Sequence, residues 1–281
     1  MILSSESIDT SNISPKLLAR LNEFGGSEAN VASGYHAIEF LLWGQDLNGS
    51  EAGSGERPVS DYAKGAQCTH KHCKRRADYL TAAVDLLVTD LKYMTQQWSL
   101  DGEYRKILSK ETATETLKKM LFGMGSLSLG ELAGERMRVA LEANSPEDEH
   151  DCFSDNTHNS HYYNAKGIQN VYLGEYQRID GSLLTGPSLS VLTKKVASNL
   201  DSHMRDALTK TASALQVMVD KAESPTRPMK FDMMIAEGNT EGKKIIETAI
   251  LALVKQTSYI EAIAKDLGIV NLNPDTADHS F

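Results

Sequence analysis

Along most of the chain, apolar residues recur at steps of three and four, the period of helices with one buried face. The clearest run is Leu80, Val84, Leu87, Val88, Leu91 and Met94, which predicts a long helix from about Cys73 to Trp98. Pro15 stands where a helix can begin, and a short helix over Lys16 to Glu23 is expected, ended by Gly25-Gly26. Ser27 is read as the cap of a following helix that runs to about Gly44. Further helices are predicted over Glu103 to Leu108, and over Thr112 to Ala143 with Gly123, Gly125, Gly130 and Gly134 softening the second. On such a helix, glycines more often serve close packing than phosphate binding. Helices over His158 to Arg178, Pro187 to Ala222 and Thr240 to Leu267 complete the set. Loops rich in Asp, Asn, Gly, Ser and Pro separate them at 46–66 and 144–157, with a turn at Asp180-Gly181 and a break at Ser224, Pro225 and Pro228. The tail from Asn271 to Phe281 is expected to fray. No stretch keeps a period of two for long, and no internal repeat is visible. The predicted fold class is all-α, with long antiparallel helices in two bundles, residues 1–150 and 151–281.

Composition narrows the partners. With 29 basic and 38 acidic residues the net charge is −9, which argues against a nucleic-acid surface. No run approaches the roughly 20 apolar residues of a membrane span. The start, Met1-Ile2-Leu3-Ser4-Ser5-Glu6, lacks the basic and apolar regions of a signal peptide. Cys68 and Cys73 can form a small disulfide loop if the chain is exported, leaving Cys152 outside the bridge.

The stretch Gly34 to Gly44 departs from simple amphipathicity. His36 and Glu39, three apart, share a helix face among Ile38, Phe40, Leu41, Leu42 and Trp43. A charge among apolar side chains needs a partner or a metal. One reading is a structural His–Glu hydrogen bond. The other is half of a metal site, since helical bundles hold iron or manganese with an imidazole and a carboxylate one turn apart. Two donors do not fill a coordination shell, so more must come from elsewhere.

Further donors are concentrated at 149–161: Glu149, His150, Asp151, Asp155, His158 and His161. The bland reading there is a capped helix start with the rest in water. Glu131 and Glu135 can point carboxylates at the same site or form surface ion pairs with Arg136 and Arg138. Cys68-Thr69-His70-Lys71-His72-Cys73 packs four zinc-type ligands too tightly to close a tetrahedron alone, so a disulfide or a plain loop is favoured there. The chain has no His-Glu-x-x-His, no Gly-x-Ser-x-Gly and no convincing Cys–His pair.

Several blocks, in order, carry a resemblance. Gly34-Tyr35-His36-Ala37-Ile38-Glu39 and the following Phe40-Leu41-Leu42-Trp43-Gly44-Gln45-Asp46 are the first. Gly55-Glu56-Arg57-Pro58, Arg75-Arg76-Ala77-Asp78-Tyr79-Leu80, Glu147-Asp148-Glu149-His150 and Phe153-Ser154-Asp155-Asn156-Thr157-His158 continue it. Tyr163 to Tyr172 and Gly186-Pro187-Ser188-Leu189 complete it. Together they resemble the imelysin family, with its Gly-x-His-x-x-Glu motif, which includes the insulin-cleaving membrane protease and the iron-regulated protein A type. The resemblance implies two helical bundles, a periplasmic or outer-membrane setting and a link to iron acquisition alongside other iron-uptake envelope proteins. It also implies a site near the domain interface using His36 and Glu39. The family pattern places a leader and an N-terminal helical region before the motif helix. Here that helix starts near residue 27, so the first bundle is expected to be incomplete.

The functional expectation is therefore a bacterial cell-envelope protein that binds a metal ion, iron or zinc, in iron uptake. His36 and Glu39 are its expected ligands, with Glu135 or the loop donors His150, Asp155 and His158 contributing. The rival expectation is a metallopeptidase in which Glu39 activates a metal-bound water. A third is a non-catalytic interaction scaffold whose His–Glu pair is structural.

Overall fold

A computed structural model describes residues 12–27 and 30–276. Met1 to Glu6 and the end of the tail, 277–281, lie outside the described residues. The fold is all-α, as the apolar spacing predicts, apart from one small hairpin. The chain divides into two units: residues 1–47 with 53–110, and residues 48–52 with 111–281.

In the first unit, α1 (Pro15–Leu21) starts at its proline, and the Ser14 side chain accepts from the Leu17 amide. The next helix, α2 (Tyr35–Trp43), begins seven residues later than a cap at Ser27 suggested, because Gly34 occupies its N-cap. Both pack on α3 (Cys73–Gln97), which leads into α4 (Glu103–Leu108). The buried apolar residues are few: Leu17, Leu21 and Ala32 in one cluster, Leu18, Ala82 and Ala83 in another. The apolar stripe of α3 is not turned inward. Val84, Val88, Leu91 and Met94 are exposed, as is Trp98 just beyond the helix. Periodicity marks an apolar face but cannot say whether anything covers it.

The second unit has the larger core. α5 (Ala113–Ser126) runs into a π-helical stretch (Leu127–Arg138) and α6 (Val139–Ala143). Packing is close here: a Cβ on Gly125 would lie 2.7 Å from Pro274 Cγ. α7 (Thr157–Leu173) packs on α9 (Ser198–Ala222), and α11 (Thr240–Asp266) packs on α9 and on the π-helical stretch. Leu132, Met137, Leu215, Met218, Phe231, Ile246 and Leu253 are among the fully buried side chains that join these helices.

Two expected helices are shorter than their spacing suggested. α7 ends at Leu173 because Gly174 takes a left-handed conformation, φ 64°, against the Pro187 and Ser188 backbone and side chain. A hairpin follows, β1 (Glu175–Gln177) against β2 (Leu183–Thr185), and its turn holds the Asp180-Gly181 pair. The helix expected from Pro187 to Ala222 is two: α8 (Leu189–Val196) and α9, separated at Ala197, whose backbone is not helical (φ −151°, ψ 77°). The short α10 (Phe231–Ile235) was not anticipated.

Candidate functional site

Each unit carries an imidazole held by a carboxylate. In the first, one helical turn brings His36 Nδ1 to 3.0 Å from Glu39 Oε2. The His36 side chain is 42% exposed, whereas Glu39 is 9% exposed. A carboxylate on Nδ1 selects the tautomer with its proton there and leaves Nε2 carrying the lone pair. The apolar neighbours do not enclose the pair: Tyr35, Phe40, Leu42 and Trp43 are all exposed.

The strap that follows α2 is built around Asp61, which is 2% exposed. Its carboxylate accepts from Arg57 Nη1 at 3.1 Å, Thr69 Oγ1 at 3.0 Å and His70 Nδ1 at 2.6 Å, and Arg76 donates to its carbonyl at 2.7 Å. Burial works to raise the Asp61 carboxyl, but the His70 and Thr69 hydrogen bonds and the Arg76 charge outweigh it, so its pKa lies below the usual carboxylate range. Cys68 and Cys73 form a disulfide with Cα atoms 5.9 Å apart, which takes both thiolates away from any zinc site. Cys152 is not part of a disulfide.

In the second unit, the 149–161 segment separates into exposed and buried groups. His150 Nδ1 lies 3.0 Å from Asp151 Oδ2, and both remain partly exposed. Asp155 is buried at a left-handed position, φ 56°, and its carbonyl accepts from Lys230 Nζ at 3.3 Å. His158 is buried, with Nε2 3.4 Å from Glu223 Oε1. Burial, aided by the Lys230 charge, lowers its pKa, so the ring is neutral near pH 7. Glu135 is exposed on the π-helical stretch.

Two donors of this segment, Glu149 and His161, are deeply buried. Glu149 accepts from Thr157 Oγ1 at 2.7 Å, and burial pushes its carboxyl up to about 8, with the charges of Asp232, Asp155 and Asp151 adding to the rise. His161 is fully buried against the edge of Phe231, ring centroids 5.0 Å apart. Neither of its ring nitrogens has a hydrogen-bond partner among the described residues. Burial brings its pKa down to about 3. His158 and His161 lie one turn apart at the start of α7. The depth of Glu149 and His161 had no local signal, because Phe231 and Asp232 arrive from a distant part of the sequence.

Within each unit taken alone, among the described residues, no three His, Cys, Asp or Glu donor atoms lie within 4.8 Å of one another. Neither unit by itself therefore presents a finished coordination shell.

The imelysin family model, peptidase family M75, matches residues 2–260. The chain belongs to the imelysin family. No curated protein matches it. Among solved structures it is similar to a Parabacteroides distasonis protein described as an iron-regulated protein A precursor, with a TM-score of 0.63 and 19% identity. The match covers 85% of this chain and 65% of the neighbour, so the chain spans under two thirds of that protein. At this identity the likeness shows the imelysin fold and not a shared ligand. Among the described residues of this imelysin chain, no helix is long and apolar enough to cross a membrane.

Proposed function

We propose that this imelysin-family chain binds a metal ion through His36, with iron as the first candidate, and serves iron uptake in the bacterial cell envelope. One observation carries the reading: His36 Nδ1 is tied to Glu39 at 3.0 Å on a ring that is still 42% exposed. Metal-binding histidines are oriented in this way, by a carboxylate on the nitrogen opposite the metal. In this reading His36 Nε2 is the donor, and Glu39 fixes its tautomer and direction. Imidazole nitrogen and carboxylate oxygen suit iron and zinc, and bound iron would be cargo, not a reagent.

Three further observations support the proposal. The Parabacteroides protein that shares its fold is described as an iron-regulated protein A precursor. The Cys68–Cys73 disulfide favours an oxidising compartment such as the periplasm. The partly exposed His150–Asp151 pair offers a second donor set. His158, buried against Glu223, and Asp155, which turns the chain beneath Lys230, are assigned to holding the fold.

Elemental analysis of the purified protein, before and after incubation with ferrous iron or zinc, tests this. About one metal per chain is expected, lost in His36→Ala while far-UV circular dichroism is unchanged. Undiminished binding in His36→Ala, or no uptake by the wild type, would overturn it. His150→Ala run in parallel shows whether the second pair contributes.

A further inference from the structure

The helix that carries His36 and Glu39 is short, nine residues, and Gly34 gives it no side-chain cap. Helices of that length do not hold themselves in water, and their last four carbonyls have no partner within the helix. Here the strap that follows meets three of them, those of Phe40, Leu41 and Trp43, the first of which also accepts from the Gly44 amide. Arg57 Nη2 donates to the Phe40 carbonyl at 3.3 Å, the Arg57 amide donates to the Trp43 carbonyl at 2.8 Å, and the Tyr62 hydroxyl donates to the Leu41 carbonyl. The Arg57 guanidinium also lies over the Phe40 ring, 5.4 Å from its centroid. The approach is close enough to require glycine at residue 55, where a Cβ would sit 2.6 Å from the Trp43 carbonyl oxygen.

What fixes the strap is Asp61. It holds the other arm of Arg57, and it is itself held by Thr69 and His70. Both of these lie inside the six-residue loop that the Cys68–Cys73 disulfide closes at the start of α3. A continuous path therefore runs from the disulfide through Thr69 and His70 to Asp61, then through Arg57 to the last turn of α2. Glu39 is the residue just before that turn. A helix fraying from its C-terminus reaches Glu39 first and releases it from His36.

We infer that Asp61 is a positioning residue for the His36–Glu39 pair, acting through Arg57 on the end of α2, and that the Cys68–Cys73 loop holds Asp61 in place. The consequence for metal binding rests on the proposed function; the effect on the pair itself does not.

The test uses the full chain, with Asp61→Ala and Cys68→Ser/Cys73→Ser beside the wild type. Three quantities are measured: amide hydrogen exchange over 35–43, the His36 imidazole ¹⁵N shifts, and the affinity for zinc and ferrous iron by calorimetry. In both variants, exchange over 35–43 is expected to rise about tenfold or more, with α9 and α11 unchanged as an internal control of folding. The ¹⁵N shifts should move from the Nδ1–H tautomer toward the mixture seen for a free imidazole. Metal affinity should fall about tenfold at unchanged stoichiometry. Unchanged exchange and unchanged ¹⁵N shifts in both variants overturn the inference. So does faster exchange with the His36 tautomer intact, since the strap would then hold the helix without serving the pair. A wild type that takes up neither metal defeats the metal reading alone, and the ¹⁵N shifts still decide the role of Asp61.

Discussion

The two units are stabilised by different means. The second buries a continuous set of large apolar side chains, Leu132, Met137, Met218, Phe231 and Leu253 among them. The first buries fewer and smaller apolar side chains in two small clusters, Leu17, Leu21 and Ala32 in one and Leu18, Ala82 and Ala83 in the other, with Leu41 buried on α2. In their place it has a disulfide, a carboxylate with three side-chain donors, and carbonyls claimed by Arg57 and Tyr62. Apolar burial is non-directional and insensitive to pH. A hub of hydrogen bonds and charges is directional, and so it can set the orientation of an imidazole. The unit with the thinner core is the one that carries the family motif. Both tryptophans, Trp43 and Trp98, lie in the first unit, so tryptophan emission follows that unit alone.

The largest effect should come from the second core. Phe231→Ala removes a fully buried ring and its contact with His161, and should cost about 3 to 5 kcal/mol in chemical denaturation. Far-UV circular dichroism should report that loss, with tryptophan emission following its own transition. A single shared transition for both probes would erase the contrast between the units.

Glu149 comes next. Its folded pKa is raised from 4.5 to about 8, so the stability linked to it is fully present below about pH 4.5 and is lost as the pH rises through 8. In the metal-free protein, Glu149→Gln should therefore be more stable than the wild type at pH 9, with the gain gone below pH 4.5. His161 has the opposite sign. Its pKa is lowered from 6.5 to about 3, so its contribution is intact above 6.5 and is lost as the pH falls toward 3. Between pH 4.5 and 6.5 the two slopes cancel. Glu149→Gln should expose the His161 slope as a stability loss of about 1.4 kcal/mol per pH unit on acidification through that window. A flat profile in the variant would contradict the buried, neutral state of His161.

Removing the disulfide in Cys68→Ser/Cys73→Ser should cost about 2 kcal/mol, since the closed loop is short. The loss should appear in tryptophan emission and leave the second unit's transition in place. For Asp61 the sign follows from its lowered pKa: its contribution holds above the ordinary 3.8 and is lost only as the pH falls through the depressed value. Tryptophan emission should therefore be constant from neutral pH down to about pH 4. The smallest effect is expected on the exposed stripe of α3. Val88→Ser should change stability by less than about 0.5 kcal/mol, where a buried valine would cost more. A larger loss would mean that the stripe is covered in solution.

The sequence alone determined whatever depends on neighbours a few residues apart. Helical spacing marked α3, α4 and α11 nearly to the residue, Pro15 marked the start of α1, and the interval of three placed His36 against Glu39. The short separation of Cys68 and Cys73 made their bridge foreseeable. These features follow from backbone geometry, which a local stretch of chain carries by itself. Only the tertiary structure decided that the α3 stripe faces outward and that Glu149 and His161 are buried deeply enough to be neutral near pH 7. It also decided that Asp61 gathers donors from residues 57, 69, 70 and 76. Burial depends on what else packs against a face, and a titrating group answers to charges that arrive from distant segments. Periodicity supplies a face; packing decides what that face meets.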